Sequence, residues 1–442
     1  MENKSNSNRI VSTDAIDRRR FLAATGAGAF ATTVAGCLGG EEAGQEGPIT
    51  IGHLGPVELS MGIGSERSGQ LAIDQLNDEG GIDDREVEFV SADTRGEPAE
   101  AEREAEAMIM QEEVDVILGT FVSEVMQGIV DLVAEFDVPF LITGSADPRT
   151  LQDTVGEDYD HYKSVFRTGP INSDLQAEAM ADYADYLNEE HGWESFAHIA
   201  DDAAWTVPFS ENLPDLLEDR GYDVVYEDRL SIETDDFTPV LDSIEAEGAD
   251  AVFRFFAHIV GTDFLATWRE AEYPFSVEGI HVASMAPEFW DMTEGLALYE
   301  TTSQSGAGGA TEITEETMPF VEAYQDAYAD EGAPALPMYM GFNTYDAVYV
   351  YADAVERAGT TDYEGDLDAI VDALLETDHT GAAGEIELYG PDDEYPHDVM
   401  ETRDEEDVIS NFPMTQWQEG GEIECVYPRE FATADHVAPD WV

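Results

Sequence analysis

The sequence predicts an α/β fold built from two doubly wound lobes with parallel sheets. Short apolar runs rich in β-branched residues alternate with amphipathic stretches along the chain. Alternation at this spacing is typical of parallel strands whose connecting helices cover both faces of a sheet. Four such units precede residue 168 and four follow it, so we expect one lobe in each half.

The individual elements follow from hydrophobic periodicity and end signals. The predicted strands are Ile49–His53, Val87–Ser91, Val114–Gly119, Val138–Thr143, Phe196–Ala200, Tyr222–Val225, Ala249–Phe253 and Gly279–Ala283. The predicted helices lie near 66–78, 98–112, 123–136, 174–190, 209–220, 238–247 and 262–271. In the fourth helix Leu175, Ala179 and Tyr183 share one face, and Asn172 or Ser173 is suited to cap its start.

The N-terminus has the layout of an export signal. Residues 18–22 read RRRFL, and residues 23–35 contain only Ala, Gly, Thr, Phe and Val. This run is shorter than the about 20 apolar residues that span a bilayer. A basic region before a short apolar region is typical of a secretory signal, and the paired arginines resemble the twin-arginine type.

The apolar run ends in VAGC, which resembles a lipobox and predicts a lipid on Cys37. We therefore expect a twin-arginine signal with lipobox over 1–36 and a flexible polar tether over 37–48. One acyl chain binds a membrane only marginally, so a double lipid is expected. The anchored chain would lie at the extracellular face of the cell membrane. The alternative is a chance apolar helix with an ordinary cysteine.

The chain is strongly acidic, with 98 Asp and Glu against 19 Lys and Arg. Removal of residues 1–36 would leave 95 acidic and 14 basic residues. Hydrophobic residues make up 43% of the chain, which argues against disorder. The many negative charges repel one another, and a compact fold tolerates this repulsion where molar salt screens charges within about 3 Å. The composition resembles that of halophilic archaeal proteins. An acidic surface for a cationic partner is the alternative, whereas nucleic-acid binding is excluded because no basic patch exists.

The cysteine count and the length limit the architecture further. If Cys37 carries a lipid, Cys425 has no intramolecular partner, so no disulfide is expected to hold the fold. No later segment has 18 uninterrupted apolar residues. About 395 residues follow the tether, which is too many for one core and enough for two lobes.

Several segments follow one another in a characteristic order. They are ITIGHLGP at 49–56, LAIDQLNDEGGI at 71–82, VDVILG at 114–119, VFRT at 165–168, YDAV at 345–348, QWQ at 416–418 and VYP at 426–428. Their order and spacing resemble the type I periplasmic-binding-protein fold, specifically the branched-chain amino acid binding proteins of ABC importers. The Gly pair at 80–81 also suits a left-handed helix cap.

The resemblance implies two lobes around a hinged cleft, joined by three crossovers near 168–170, 297–302 and 378–384. Lobe I would comprise 49–168 plus 300–378, and lobe II 170–298 plus 384–442. Ligands of open α/β sheets bind beyond the carboxyl ends of the strands, and a cleft between two such lobes closes by hinge motion.

In lobe I the resemblance implies a carboxylate-binding site. Ser123 follows a predicted strand at the start of a helix, whose N-terminus attracts anions. A plain helix cap is the alternative reading of Ser123. After the next strand, Gly144 and Ser145 can offer backbone N–H groups. Ala146 stands where the family often has Thr, a departure from the amino-acid-binding pattern.

In lobe II the resemblance places Trp205 where the family commonly has a Tyr that closes over the ligand. Packing in the core is the alternative for Trp205. Asp202, or its neighbour Asp201, could hold an ammonium group.

Arg254 stands among aromatic residues including Phe256. It is expected either to pair across the lobes or to meet a ligand carboxylate. Ser284 and Met285 occupy the region where the family has an acid for the ligand ammonium, and no Glu follows until Glu288.

Enzyme signatures are absent from the sequence. No Gly-Lys dipeptide of a phosphate-binding loop and no Gly-x-Ser-x-Gly motif occurs. No two His residues stand at a metal-ligand spacing such as His-x-x-x-His, so neither a metal nor a cofactor is expected.

The favoured function is the solute-binding component of an ABC importer. It would capture a small amino-acid-like ligand and deliver it as a monomer to the permease and ATPase subunits. The alternatives are an extracellular sensing subunit or a receptor for a short amide, urea-like or aromatic acid ligand. A surface hydrolase is disfavoured by the missing motifs.

Overall fold

The computed structural model describes residues 47–405 and 407–442. The predicted export signal, Cys37 and most of the tether lie outside the described residues. The strands are β1 (Ile49–Gly55), β2 (Val87–Asp93), β3 (Val116–Gly119), β4 (Phe140–Ile142), β5 (Val165–Arg167), β6 (Ser195–Asp201), β7 (Asp223–Leu230), β8 (Ala251–Phe256), β9 (Ser276–His281), β10 (Thr301–Ser303), β11 (Asp378–Thr380), β12 (Glu385–Glu387), β13 (Met414–Gln418) and β14 (Glu422–Tyr427).

Helices connect most of these strands. They are α1 (Ser60–Glu79), α2 (Pro98–Ala107), α3 (Ser123–Glu135), α4 (Arg149–Gln152), α5 (Tyr159–Tyr162), α6 (Ser173–His191), α7 (Val207–Asp219), α8 (Thr238–Glu247), α9 (Thr262–Ala271), α10 (Phe289–Met292), α11 (Thr317–Tyr328), α12 (Tyr339–Ala358) and α13 (Tyr363–Leu375). Among the described helices, none combines the length and the apolar character needed to cross a bilayer.

The first lobe is built on a five-stranded parallel sheet in the order β2-β1-β3-β4-β5. Ile51 in β1 pairs with Phe89 on one side and Val116 on the other. Every residue of β1 is buried, as expected for a parallel strand with both faces covered. The two longest helices, α1 and α12, pack against each other in this lobe.

The second lobe is built on a four-stranded parallel sheet in the order β7-β6-β8-β9. All six residues of β8 are buried. Trp268 in α9 is fully buried, and its indole N–H donates to the Phe275 carbonyl at 2.9 Å. The two sheets confirm the predicted α/β class with two doubly wound lobes.

Shorter antiparallel elements accompany the two parallel sheets. Strands β10, β13 and β14 form a three-stranded sheet, and β11 pairs with β12. The predicted residue boundaries of the lobes and their crossovers stay predictions.

Local end signals explain several boundaries. Asn172 caps α6, because its side-chain oxygen accepts from the N–H groups of Asp174 and Leu175. Helix α1 ends at Glu79 and is followed by Gly80 and Gly81. Both glycines have positive φ, a backbone conformation that Gly adopts more readily than other residues. Both end signals were predicted from the sequence and are confirmed.

Two strand predictions were shifted, the strand predicted at Tyr222–Val225 extends over Asp223–Leu230, and the helices α11, α12 and α13 were not predicted. The strand predicted at Ala249–Phe253 begins two residues later and continues to Phe256. The strand predicted at Gly279–Ala283 lies instead at Ser276–His281. Helix α12 was missed because it is buried on most of its circumference, which removes the polar face that an amphipathic pattern needs.

Candidate ligand-binding cleft

A cavity lies where the carboxyl ends of the two parallel sheets face each other. It encloses about 650 Å³, part of it open to solvent. Most of its wall is apolar or aromatic, from Phe121, Val122, Ala146, Pro170, Ile171, Trp205, Ala257, Ile280, Val282, Met285, Tyr339 and Phe412. The remaining wall comes from Ser123, Gly144, Gln176, His258, Ser303, Gln304, Ser305 and Asn411.

The loop after β3 places Ser123 at the cavity. Ser123 is the first residue of α3, and Val122 is the cap residue. The alternative reading of Ser123 as a plain helix cap is therefore wrong. Its hydroxyl instead accepts from the Asp147 N–H at a long distance of 3.4 Å, and Ser123 belongs to the cavity wall.

The loop after β4 supplies Gly144 and Ala146. A β-carbon at Gly144 would lie 2.5 Å from the Thr120 carbonyl oxygen, so the close approach of the two loops requires Gly. The Tyr339 hydroxyl donates to the Gly144 carbonyl at 2.9 Å. This bond ties the start of α12 to the loop and fixes one wall of the cavity.

The second lobe contributes residues that follow its strands. Trp205 lies in a short 3₁₀ turn after β6, and Met285 ends a similar turn after β9. The Trp205 indole N–H is buried and has no hydrogen-bond partner among the described residues. A buried donor without a partner is costly, so a ligand acceptor would satisfy it.

His258 follows β8 and faces the cavity, where its side chain is 26% exposed. Its Nδ1 lies 3.2 Å from Asp201 Oδ2, and the same oxygen accepts from the backbone N–H groups of Ala257 and His258. The hydrogen bond to Asp201 raises the pKa of His258, partial burial opposes the rise, and the charge of Glu124 adds to it. The imidazole is therefore biased toward its cationic form.

Five residues predicted to contact the ligand do not line the cavity. Ser145, Arg254, Phe256 and Ser284 are buried in the fold, and Asp202 is largely exposed and pairs with Arg229 at 2.9 Å. The Ser284 hydroxyl donates to the His281 carbonyl. Arg254 and Phe256 lie inside β8, which extends further than predicted, so both side chains are buried in the fold.

Arg254 makes an ion pair instead. Its guanidinium lies 2.6 Å from Glu300 Oε1, and both side chains are 0% exposed. His281 Nδ1 contacts the same carboxylate. Burial alone would raise the pKa of Glu300, but Arg254 and His281 lower it on balance. Of the two alternatives for Arg254, the geometry fits pairing, since the cavity wall does not include this residue.

Sequence reasoning missed part of the wall. Ser303, Gln304, Tyr339, Asn411 and Phe412 come from connecting segments and from the start of α12. No periodicity marks such segments. His258 could have been found, because it directly follows a buried strand whose carboxyl end lies at the cleft.

Two charged side chains of the first lobe hold the loop that carries Trp205. Glu124 Oε1 accepts from the Ala204 N–H at 2.7 Å, and Arg149 Nη2 donates to the Ala204 carbonyl at 3.2 Å. Arg149 is itself held by Asp147 at 2.6 Å. The lobes therefore contact each other through Ala204, which directly precedes Trp205 in the cavity wall.

Two α/β lobes with a cavity between the carboxyl ends of their sheets define the class of two-lobed solute-binding proteins. Residues 48–403 match the family model described as periplasmic binding protein. This chain belongs to the periplasmic binding protein family, whose members bind solutes and are not enzymes.

Two relatives align with most of the chain. Leu/Ile/Val-binding protein homolog 3 of Brucella melitensis is 25% identical over 349 residues, covering 78% of this chain and 87% of the relative. The chemotactic signal transduction system substrate-binding protein BasB of Halobacterium salinarum is 27% identical over 365 residues, covering 78% of this chain and 84% of the relative.

Solved structures share the fold. The branched-chain amino acid transporter substrate-binding protein of Streptococcus pneumoniae, in complex with isoleucine, has a TM-score of 0.68 at 18% identity and covers 86% of this chain and all of its own. A solute-binding protein of an ABC transporter from R. palustris, in complex with benzoate, has a TM-score of 0.68 at 17% identity, covering 90% of this chain and 99% of its own. At these identities the likeness concerns the fold.

Proposed function

We propose that this protein is the extracellular solute receptor of an ABC importer. It captures a small amino-acid-like ligand, a branched-chain amino acid or a related acid, by closing its lobes and delivers it to a permease with its ATPase subunits. The observation that carries the proposal is the cavity between the carboxyl ends of the two sheets, together with the contacts of Glu124 and Arg149 with Ala204, the residue before Trp205.

The ligand carboxylate would bind at the start of α3. The first N–H groups of a helix have no partner within the helix and carry a partial positive charge. Ser123 adds a hydroxyl, and the loop with Gly144 and Ala146 forms the adjoining wall. Trp205 and Met285 would contact the ligand from the second lobe, so that closure brings both lobes onto one molecule.

Import is tested in cells. Deletion of the gene should abolish high-affinity uptake of the labelled ligand, and the unaltered gene should restore it. Uptake that is unchanged in the deletion strain would contradict the import function.

The membrane anchor belongs to the same proposal. The arginine pair and the VAGC sequence support twin-arginine export followed by lipidation of Cys37. Replacement of Cys37 by Ala should move the protein from the membrane fraction to the medium. Retention of this variant in the membrane fraction would contradict anchoring at Cys37.

A sensing role is the second candidate function. It is favoured by the relative from Halobacterium salinarum, which is named as a substrate-binding protein of a chemotactic system. A deletion strain that keeps ligand uptake but no longer swims toward the ligand would favour sensing over import.

A further inference from the structure

Several buried polar atoms in or beside the cavity wall have no hydrogen-bond partner among the described residues. In the wall they are Ser303 Oγ, Gln304 Oε1 and the Trp205 indole nitrogen. Beside the wall they are Glu124 Oε2 and Asp201 Oδ1. All of these atoms except the indole nitrogen can accept a hydrogen bond, and ionised carboxylate oxygens only accept. A ligand group that donates several hydrogen bonds would therefore satisfy most of them.

The charge beside the cavity is negative. The carboxylates of Asp201 and Glu124 both act on the imidazole of His258, which carries at most one positive charge. Arg149 is held by Asp147 at 2.6 Å, so this pair adds no net charge. At least one negative charge is left over, and it favours a cationic ligand group over a neutral amide.

Direct hydrogen bonds to such a group must come from the wall, to which neither Glu124 nor Asp201 belongs. Ser303 ends β10 and Gln304 follows it directly. The two residues are 3% and 4% exposed, and both belong to the wall. A buried acceptor without a partner is costly to the fold, so a ligand donor at these two atoms would remove that cost.

The turn after Gln304 limits the position of its amide group. Gly308 has a φ of +58°, and a β-carbon there would lie 2.2 Å from Gln304 Nε2 and 3.0 Å from Oε1. Nε2 is therefore the amide atom that lies closer to Gly308, and Oε1 lies further from it. The missing side chain at Gly308 leaves the space that the amide group occupies.

We infer that the cleft recognises a primary ammonium group of its ligand, and that Gln304 Oε1 and Ser303 Oγ accept the hydrogen bonds of this group. The inference rests on the proposed function, because it names the residues that select the nitrogen of an amino-acid-like solute. Glu124 and Asp201 supply negative charge from outside the wall, and the Trp205 N–H remains for an acceptor of the same ligand.

Matched ligand pairs test the recognition of the ammonium group. The protein in molar salt is titrated by calorimetry with leucine against 4-methylpentanoate, and with phenylalanine against 3-phenylpropanoate. The α-ammonium group is the difference within each pair. We expect the amino acid to bind at least about tenfold more tightly in at least one pair, a difference of about 1.4 kcal/mol.

Gln304→Met and Ser303→Ala test the two acceptors. Each variant should bind the amino acid about tenfold more weakly and bind the matched acid nearly as before, because only the ammonium group contacts these atoms. Since neither acceptor has a partner in the described part of the fold, thermal unfolding of the ligand-free variants should show no loss of stability. A purely structural role would instead lower the melting temperature and weaken both ligands of a pair equally.

Gln416→Met is the matched control. Gln416 is fully buried and lies outside the cavity wall. Its Nε2 donates to the carbonyl groups of Tyr299 and Val437, each at 3.0 Å. This variant should therefore lose stability and keep the preference for the amino acid.

The outcomes separate the inference from the proposed function. Equal or tighter binding of the acid without the ammonium group in both pairs overturns the inference and leaves the solute receptor intact. A preference for the amino acid that is unchanged in Gln304→Met and Ser303→Ala overturns the assignment of these two residues. Binding of none of the four compounds overturns both the inference and the proposed amino-acid-like ligand class.

Discussion

The carboxylate of Glu124 in the first lobe accepts a hydrogen bond from the Ala204 N–H in the second lobe at 2.7 Å. Ala204 directly precedes Trp205, which lines the cavity. The bond therefore links closure of the lobes to the position of an aromatic residue at the ligand.

Removal of this link should weaken ligand binding. Glu124→Ala loses a hydrogen bond to a charged acceptor, and such bonds are worth about 1.5–3 kcal/mol, so Kd should rise about tenfold or more. Calorimetry with the tightest-binding acid measures the change. Glu135→Ala, at the exposed end of the same helix, is the control. Equal Kd values for the two variants would show that the bond does not contribute to closure.

Ser123 should contribute directly to carboxylate binding. Because it is not the cap residue of α3, Ser123→Ala should leave stability nearly unchanged while weakening carboxylate ligands by about 1–3 kcal/mol. Thermal unfolding and calorimetry separate the two effects. Ser243→Ala, on exposed surface of α8, provides the control. A loss of stability without a loss of affinity would make Ser123 a structural residue only.

Trp205 should report ligand binding by fluorescence. The chain has six Trp residues, and Trp205 is the one in the cavity wall. The ligand-induced change in emission should therefore disappear in Trp205→Phe, which keeps an aromatic face. It should persist in Trp441→Phe, which lies near Trp268. If the ligand-induced change in emission persists in Trp205→Phe, another Trp residue is its source.

The Arg254–Glu300 pair should support stability and not ligand recognition. Arg254→Met leaves Glu300 buried without its main partner, and breaking a buried pair costs about 3–5 kcal/mol. Denaturant unfolding in molar salt measures this loss. Arg229→Met breaks the exposed pair with Asp202, for which about 1 kcal/mol or less is expected. If the Arg254→Met protein is stable but no longer binds ligand, Arg254 contributes to ligand binding and this prediction is wrong.

The sequence was informative wherever a pattern repeats or a signal is local. Strand–helix alternation predicted two doubly wound lobes, and the Gly pair at 80–81 and Asn172 predicted where α1 ends and α6 begins. Loops that directly follow strands were also placed well, so Ser123, Gly144 and Trp205 reach the cavity. Their positions depend on a general property of parallel sheets.

The remaining features depend on tertiary contacts. Arg254 was taken for a possible ligand contact, because the sequence does not show that Glu300 lies opposite it, 46 residues later along the chain. Gln304 and Asn411 reach the cavity through connecting segments that have no periodic pattern. The pairing of His258 with Asp201 likewise requires knowledge that β6 and β8 are neighbours.

The central claim is that the cleft binds a small organic carboxylate and closes on it. The most direct measurement is calorimetric titration of the purified protein in molar salt with a panel of branched-chain amino acids, their analogues without the amino group, short amides and aromatic acids. The account predicts one-to-one binding of at least one carboxylate, with a higher melting temperature and a smaller radius of gyration in the complex. Absence of binding by every carboxylate in the panel, at every salt concentration tested, would contradict it.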